Sequence, residues 1–328
     1  MMDTQTDTLA VRDLSVSFDT RAGALQALRK VSIKVPAGEI VGVVGESGCG
    51  KSTLIGALLS LLSENARVVG GEVLLDGEDI LRATPRRLQA MRGREMSVVF
   101  QDPMTSLNPV LSVGRQMRDI QYRERISDAE KSRRAAAMLG RVGLPDPEAK
   151  LHAYPHELSG GMRQRVAIAM AALMEPKLLI ADEPTTALDA TLEVQIIELL
   201  KEIQREIGCA ILFISHHLGV IAELCDRMVV MYAGEAVEEG PVAEVFQRPA
   251  HPYTAKLIEC DPGRLHERVE ALPAIPGSLP DLTDPPAGCI FRDRCHMATE
   301  ICAREAPPRV AVTPGRWSAC HHAKAVSA

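Results

Sequence analysis

A strand, a glycine-rich loop and a helix follow one another near the start of the chain, and together they constrain the fold more than any other feature. Residues 40–44 (IVGVV) are continuously apolar, as expected for a strand that is buried on both faces. The loop GESGCGKS at 45–52 matches the pattern G-x-x-x-x-G-K-[ST], and an apolar helical stretch follows it directly. This order predicts a P-loop, which is a phosphate-binding loop between a buried strand and a helix.

The residue types of this loop suit the binding of phosphate. Glycine lets the backbone curl so that successive N–H groups point at phosphate oxygens, and the N-terminus of the following helix favours an anion. Lys51 is expected to reach the β- and γ-phosphates of a nucleotide, and Ser52 is expected to ligate Mg²⁺. The predicted nucleotide-binding residues of this segment are Gly45, Glu46, Ser47, Gly48, Cys49, Gly50, Lys51, Ser52 and Thr53.

A second apolar segment ends in two carboxylates. Residues 177–182 (KLLIAD) have the pattern of a buried strand, and Glu183 follows directly. Asp182 is expected to hold Mg²⁺, and Glu183 lies where a carboxylate would polarise the attacking water as general base. A solvated acidic pair at a strand end is the ordinary alternative, and the presence of the P-loop favours the catalytic interpretation.

The pattern along the rest of the chain predicts an α/β fold. Period-two alternation through residues 9–35 is typical of antiparallel strands with one solvated face. Apolar strands at 97–100 and 210–215 alternate with helical patterns at 128–142 and 192–207, which favours a parallel sheet.

The domain organisation follows from changes in composition. Residues 104–158 contain no good strand, and after residue 240 proline becomes frequent and breakers dominate 272–288. We therefore predict a domain at 1–240 with a helical insert at about 104–158, and a small C-terminal extension at 241–328. Before that boundary, the sequence predicts a hairpin with its turn at Ala233-Gly234.

Composition and charge narrow the class of protein. The 328 residues are 46% hydrophobic and 24% charged with a formal net charge of −6, which excludes a disordered chain and argues against a general binder of nucleic acid or anionic membranes. No apolar run approaches the ~18 residues of a membrane span. The longest, at 166–174, has nine residues and is expected to form a buried helix. The polar N-terminal stretch does not match a secretory signal. We expect a cytoplasmic protein with reduced cysteines.

Four of the eight cysteines crowd the end of the chain. In a reducing compartment such a cluster indicates a metal before it indicates disulfides. Four thiolates are the ligand count of a 4Fe–4S cluster or of a zinc site, and the absence of a Cys-x-x-Cys pair weakens zinc. Metal-free packing and disulfides stay open as alternatives. The four residues are Cys289, Cys295, Cys302 and Cys320.

Further segments, in order along the chain, identify a family. LSGGMRQR at 158–165 resembles the signature motif of ATP-binding cassette (ABC) ATPases. Gln101 in VVFQDP resembles the Q-loop, Asp189 in TALD the D-loop, and His216 in FISHHL the switch histidine, while Phe18 best matches the adenine-stacking aromatic. The chain is therefore identified as a member of the ABC ATPases. The neighbouring His217 departs from the pattern, which usually has aspartate there.

The resemblance implies roles for these residues. Gln101 would contact Mg²⁺ and the attacking water, and His216 would contact the γ-phosphate. ATP would bind between two ATPase subunits, because a signature loop opening a helix is a second anion site that closes on the other subunit's P-loop. Asp189 would cross the same interface. The signature residues of that second site are Ser159, Gly160 and Gly161.

The C-terminal part resembles one branch of the family, the oligopeptide, dipeptide and nickel importers, through PAHPYTAKLIE at 249–259 and the segment from IPGSLPDL to REAPP. This implies a P-loop NTPase core with an N-terminal antiparallel β subdomain, an inserted helical subdomain and a small C-terminal metal-binding extension carrying a 4Fe–4S cluster. It also implies a peripheral ATPase on the cytoplasmic face of the inner membrane, with ATP and Mg²⁺. Its partners would be a second ATPase subunit in a heterodimer, two permeases and an extracytoplasmic solute-binding protein, and not nucleic acid.

Alternatives remain for the solute and for the class of protein. The same ATPase would serve nickel or glutathione import equally well, since selectivity lies mostly in the partner chains. A soluble ABC ATPase that uses the cysteine cluster as a redox sensor is a different class and stays open. ABC ATPases of DNA repair or translation fit less well, because the chain has no sustained heptads and is acidic.

Overall fold

The computed structural model describes residues 7–186, 188–261 and 273–323. They divide into two compact units. Unit 1 holds the described residues up to Ala83 and from Phe213 onward, and unit 2 spans Thr84–Leu212. Among the described residues, no helix combines the length and the apolar character needed to cross a membrane.

The strands and helices follow in one order along the chain. They are β1 (Asp7–Thr20), β2 (Gly23–Pro36), β3 (Ile40–Val44), α1 (Lys51–Leu58), β4 (Ala66–Leu75), β5 (Glu78–Asp79), α2 (Pro85–Met91), β6 (Met96–Val99), α3 (Pro103–Ser106), α4 (Val113–Ile120), α5 (Asp128–Arg141), α6 (Pro147–Lys150), α7 (Gly160–Ala172), β7 (Leu178–Asp182), α8 (Ala190–Ile207), β8 (Ala210–Ser215), α9 (Leu218–Leu224), β9 (Arg227–Tyr232), β10 (Glu235–Pro241), α10 (Val242–Gln247), α11 (Pro252–Glu259), α12 (Glu300–Arg304), β11 (Val310–Thr313) and β12 (Arg316–Ser318).

Unit 1 contains the antiparallel sheet expected from the alternating N-terminal segment. Its strand order is β2-β1-β4-β5, and every neighbouring pair is antiparallel. Leu9, Val11 and Val16 lie on the buried side of β1 with no more than 1% exposed. The alternation therefore marks which side of the sheet faces the core.

The second sheet of unit 1 carries the P-loop strand. The strand order is β11-β12-β10-β9-β3, with β3 parallel to β9. All five residues of β3 are buried, as its continuous apolar sequence predicts. The predicted hairpin is also present, because β9 and β10 are antiparallel and the turn residues Ala233 and Gly234 have φ of 43° and 84°. Two positive φ values in succession are typical of the turn that matches the twist of a hairpin.

Unit 2 supplies the strand that ends in the acidic pair. Strands β6 and β7 are parallel, with Val98 opposite Ile180. Between them, residues 100–177 form helices and loops without a strand, and the structure describes the backbone of all of these residues. The buried helix expected around Val166 is α7, in which Val166 and Ile168 are fully buried.

The C-terminal segment completes the second sheet of unit 1. β12 pairs with β10, and the Trp317 indole N–H donates a hydrogen bond to Glu239 Oε2 at 3.0 Å. Arg316 donates to Glu238 Oε1 at 2.8 Å, and both side chains are almost completely buried. The domain boundary predicted near residue 240 lies within β10 and stays a prediction.

Candidate nucleotide-binding site

The P-loop connects β3 to α1 in unit 1, and glycine is required at two of its positions. A Cβ added to Gly45 would lie 2.1 Å from the backbone oxygen of Met231. Gly50 has φ of 107°, and a Cβ there would lie 2.8 Å from Leu28 Cδ2. Side chains at these positions would force the loop away from its neighbours. The backbone therefore makes the tight curl that a phosphate cradle needs.

Lys51 opens α1 and folds back over this loop. Its Nζ donates hydrogen bonds to Gly45 O at 2.6 Å and to Glu46 O at 3.2 Å, and only 8% of the residue is exposed. Ser52 is the next residue and is exposed. An ammonium group over the loop and a hydroxyl beside it are the two groups that the P-loop pattern predicts for phosphate and Mg²⁺.

Glu46 has partners that the sequence analysis did not find. Arg294 makes a bidentate ion pair with its carboxylate, with Nη1 2.7 Å from Oε2 and Nη2 3.0 Å from Oε1. The Glu46 N–H donates to the Tyr253 hydroxyl at 3.0 Å. Arg294 lies 248 residues away along the chain, so no local pattern could have signalled it. Tyr253 lies in the segment 249–259, and the sequence did not predict the contact of its hydroxyl with the P-loop.

Unit 2 brings two of the predicted catalytic residues together. Glu183 follows β7, and its Oε2 accepts hydrogen bonds from Gln101 Nε2 at 3.1 Å and from Thr186 Oγ1 at 3.0 Å. Asp182 is the last residue of β7 and is half-buried. Glu183 has φ of 45°, in the left-handed region that residues with a Cβ seldom adopt. The carboxylate of Glu183 is therefore oriented by two donors on a constrained backbone.

The signature and D-loop residues have clear local roles in unit 2. Ser159 is the N-cap of α7 and accepts a hydrogen bond from Met162 N at 3.3 Å. Gly160 is exposed, whereas a Cβ on Gly161 would lie 3.0 Å from the Leu192 side chain. Asp189 caps α8 and accepts from two backbone N–H groups. These contacts are structural, and the predicted roles at a subunit interface stay predictions.

The remaining two predicted site residues lie in unit 1. His216 is exposed directly after β8, and its ring centroid lies 4.2 Å from that of His217 in an edge-on arrangement. Phe18 is half-buried in β1, opposite Leu25 on one side and Ala66 on the other. Both are accessible, which their predicted contacts with a nucleotide require.

Comparison with known proteins identifies the family. Residues 28–186 match the family described as ABC transporter, and residues 237–302 match the oligopeptide/dipeptide transporter C-terminal region. The chain is 46% identical to the oligopeptide transport ATP-binding protein OppD of Escherichia coli, over 95% of this chain and 92% of that protein. This chain belongs to the ABC transporter ATPase family. It is also 45% identical to the dipeptide transport ATP-binding protein DppD of Bacillus subtilis, over 91% of this chain and 90% of that protein.

Solved structures agree with the predicted P-loop fold of this ABC ATPase. A dimeric ATP-binding cassette bound to ADP and Pi superposes with a TM-score of 0.64 at 28% identity, over 71% of this chain and 98% of the other. The cbiO1 protein of Clostridium perfringens, part of the ABC transporter complex cbiONQ, gives 0.63 at 30% identity, over 74% and 91%.

The four C-terminal cysteines of the ABC ATPase do not support the metal-binding extension that was expected. The pKa of Cys289 is raised to about 12 and that of Cys320 to about 11, mainly by burial and in smaller part by the neighbouring thiols. The Sγ of Cys302 contacts Thr299 Oγ1 at 3.7 Å. Within the described residues, no three or more His, Cys, Asp or Glu side chains are grouped to hold a metal ion, so the structure does not support a 4Fe–4S cluster at Cys289, Cys295, Cys302 and Cys320.

Proposed function

We propose that this chain is the ATP-hydrolysing subunit of a membrane importer for peptides. The observation that carries the proposal is the geometry of the P-loop. No side chain fits at Gly45 or Gly50, and the Lys51 ammonium group lies over the loop. It occurs in a chain whose C-terminal region matches that of oligopeptide and dipeptide transporters.

The residues of unit 1 would bind the phosphates. Lys51 Nζ would exchange the carbonyl oxygens of Gly45 and Glu46 for oxygens of the β- and γ-phosphates, while the N–H groups of the loop would hold the remaining oxygens. His216 would stabilise the charge of the γ-phosphate, and Phe18 would stack on the adenine.

Oxygen ligands suited to Mg²⁺ are present at the predicted positions. The exposed Ser52 hydroxyl, the Asp182 carboxylate and the Gln101 amide oxygen are the hard donors that this ion takes in nucleotide sites. Bound Mg²⁺ would neutralise part of the charge on the phosphates.

Glu183 would act as the general base. Its carboxylate would take a proton from the water that attacks the γ-phosphate, and the bonds from Gln101 and Thr186 would hold it in position. A movement of Gln101 toward Mg²⁺ would remove one of these two donors from the Glu183 carboxylate. The orientation of the base would then depend on the position of the Q-loop.

Assembly with other chains completes the function. Ser159, Gly160 and Gly161 would close on the P-loop of a second ATPase subunit, and Asp189 would cross that interface. The dimeric cassette bound to ADP and Pi supports this arrangement. Two permeases and an extracytoplasmic solute-binding protein would complete the importer, with this subunit on the cytoplasmic face of the inner membrane. The names of the relatives, which refer to oligopeptide and dipeptide transport, support peptides as the solute.

Uptake measurements test the proposal. Cells that lack this gene and carry it on a plasmid are supplied with labelled dipeptides, longer peptides, glutathione and nickel. Peptide uptake should depend on the gene and fall about 100-fold or more with Lys51→Ala, because the phosphates lose their cation. Lys256→Ala, which removes an exposed ion pair with Glu259, is the matched control and should retain uptake. Gene-dependent uptake of nickel or glutathione alone would reject peptides as the solute.

The 4Fe–4S cluster stays a prediction that the structure does not support. Iron and acid-labile sulfide in anaerobically purified protein would restore it, and their absence would reject it. The redox-sensing alternative is tested separately by comparing ATPase activity at two redox potentials. Equal activities would reject that alternative.

A further inference from the structure

We propose that Arg294, in the C-terminal segment, is a positioning residue that neutralises Glu46 of the P-loop and so sets the affinity of the loop for ATP. This inference rests on the proposed ATPase function and deepens it. It gives the segment after residue 272 an effect on nucleotide binding that is exerted through Glu46, although that segment lies far from the P-loop in sequence.

The ion pair is built to be rigid. The Arg294 side chain is only 5% exposed, and besides the two bonds to Glu46 it donates from Nε to Pro276 O at 2.9 Å and from Nη2 to Ile275 O at 3.0 Å. Its Nη1 also lies 3.3 Å from the Tyr232 hydroxyl. The hydrogen bonds to Glu46 raise the pKa of Arg294 above its usual range, so the guanidinium stays charged. A planar guanidinium held on several sides keeps its orientation without further ordering.

Glu46 connects the ion pair to the phosphate-binding group. Its carboxylate binds Arg294, its N–H donates to Tyr253, and its carbonyl oxygen accepts from Lys51 Nζ at 3.2 Å. One residue is therefore tied both to the C-terminal segment and to the lysine that would contact ATP.

Charge provides the second part of the argument. A carboxylate in the P-loop would repel the triphosphate of ATP unless a cation neutralised it. Arg294 supplies that cation from a buried position, while the Glu46 side chain is 30% exposed and is therefore partly screened by solvent. Without Arg294 the P-loop would carry an unpaired negative charge at the residue that follows Gly45.

Aromatic packing fixes the segment that carries Arg294. Phe291 lies three residues earlier, and its ring centroid is 5.0 Å from that of Tyr232 and 5.4 Å from that of Tyr253. The same two tyrosines contact Arg294 and Glu46 through their hydroxyls. The cluster therefore positions both members of the ion pair at once.

A double-mutant cycle in the full-length chain tests the inference. Arg294→Met should raise the KM for ATP about 10-fold or more and leave kcat within threefold, because the unpaired Glu46 carboxylate opposes binding. Glu46→Gln should lower the KM, because it removes the negative charge of the loop and leaves the Arg294 cation unopposed. The double variant, which removes both charges, should return the KM to within threefold of wild type. Arg304→Met removes an exposed pair with Glu300 and serves as the matched control with wild-type kinetics.

A merely structural role gives a different pattern. Both single variants would then weaken ATP binding, and the double variant would be at least as weak as Arg294→Met. That pattern, or a wild-type KM for Arg294→Met, overturns the inference. If Arg294→Met fails to fold, Glu46→Gln decides alone, because a KM that rises 10-fold when the negative charge is removed contradicts the charge argument.

The same measurements separate this inference from the proposed function. Wild-type protein that neither binds nor hydrolyses ATP would reject the ATPase function itself. Wild-type activity together with an unchanged KM in Arg294→Met would reject only the role of Arg294. Direct titration of each variant with ATP checks that the change in KM is a change in binding.

Discussion

Glu183 shows how a single residue combines strain and orientation. Its φ of 45° lies in the left-handed region, which costs a residue with a Cβ about 1–2 kcal/mol. The hydrogen bonds from Gln101 and Thr186 and the pairing of β7 hold the residue there. Glu183 lies next to Asp182, a predicted Mg²⁺ ligand. Backbone strain that the surroundings maintain at such a position points to a function for the Glu183 carboxylate.

Glu183→Gln tests this function. The amide keeps the size of the side chain but cannot accept a proton, so ATP hydrolysis should fall about 100-fold or more while ATP affinity stays within threefold. Phosphate release and nucleotide titration measure the two quantities. Glu198→Gln removes an exposed carboxylate paired with Lys201 and should leave both unchanged. Wild-type turnover in Glu183→Gln would reject this residue as the base.

Among the secondary-structure elements, the sequence predicted those that have a local apolar periodicity or a turn signal. Apolar spacing and turn residues account for four of them: the β1–β2 alternation, the buried β3, the β9–β10 hairpin and the core of α7. β4 was not found, because Val68 and Val69 are exposed and two glycines interrupt its pattern.

The contacts of the C-terminal segment could not be predicted at all. β11 and β12 were missed because they are short and lie in a proline-rich region, and β12 is defined by its pairing with β10 far away in sequence. The ion pair between Glu46 and Arg294 was missed for the same reason, because it depends on the fold and has no local sequence pattern. The P-loop, in contrast, is local, and its position between β3 and α1 follows from the sequence alone, while the binding of a nucleotide by its residues stays a prediction.

Helix α11 provides a prediction on pH. His251 is its N-cap, and its Nδ1 accepts a hydrogen bond from Tyr253 N at 3.1 Å. Burial lowers the pKa of His251 from 6.5 to about 3. Between these pH values the unfolded chain binds a proton at His251 that the folded chain does not. The contribution of His251 to folding stability is therefore complete above pH 6.5 and is lost progressively as the pH falls toward 3. The loss from this residue should approach about 1.4 kcal/mol per pH unit.

His251→Asn tests the effect. Asparagine can still cap the helix but does not titrate, so the variant should lose less stability than wild type on going from pH 6.5 to pH 5. Urea unfolding at a series of pH values gives the two slopes. Identical slopes for wild type and variant would contradict the prediction, even if the variant is less stable at pH 7.5.

At the scale of the whole molecule, the C-terminal segment is part of unit 1 rather than an appendage. β12 extends the sheet beside β10, and Arg316 neutralises Glu238, whose side chain is 0% exposed. Removal of one partner from a buried pair costs about 3–5 kcal/mol, which is a large part of the roughly 5–15 kcal/mol that stabilises a typical protein.

Truncation tests this dependence. A chain that ends at residue 240 loses β12 and Arg316, so it should be largely insoluble or unfold at clearly lower urea than the full-length protein. A chain that ends at Ala323 keeps every strand and helix described here and should match the full-length protein. Soluble expression and the urea midpoint are the measurements. A 1–240 chain with the full-length midpoint would show that unit 1 is stable without its C-terminal strands.

Trp317 gives the molecule an optical reporter. It is the only tryptophan in the sequence, it lies in β12 with its N–H on Glu239, and the Arg309 guanidinium lies 4.4 Å from its ring. Its fluorescence therefore originates at one place, the junction of β12 and β10. An emission change that precedes the loss of helical circular dichroism would record the detachment of the C-terminal strands before the rest of the chain unfolds, without any label.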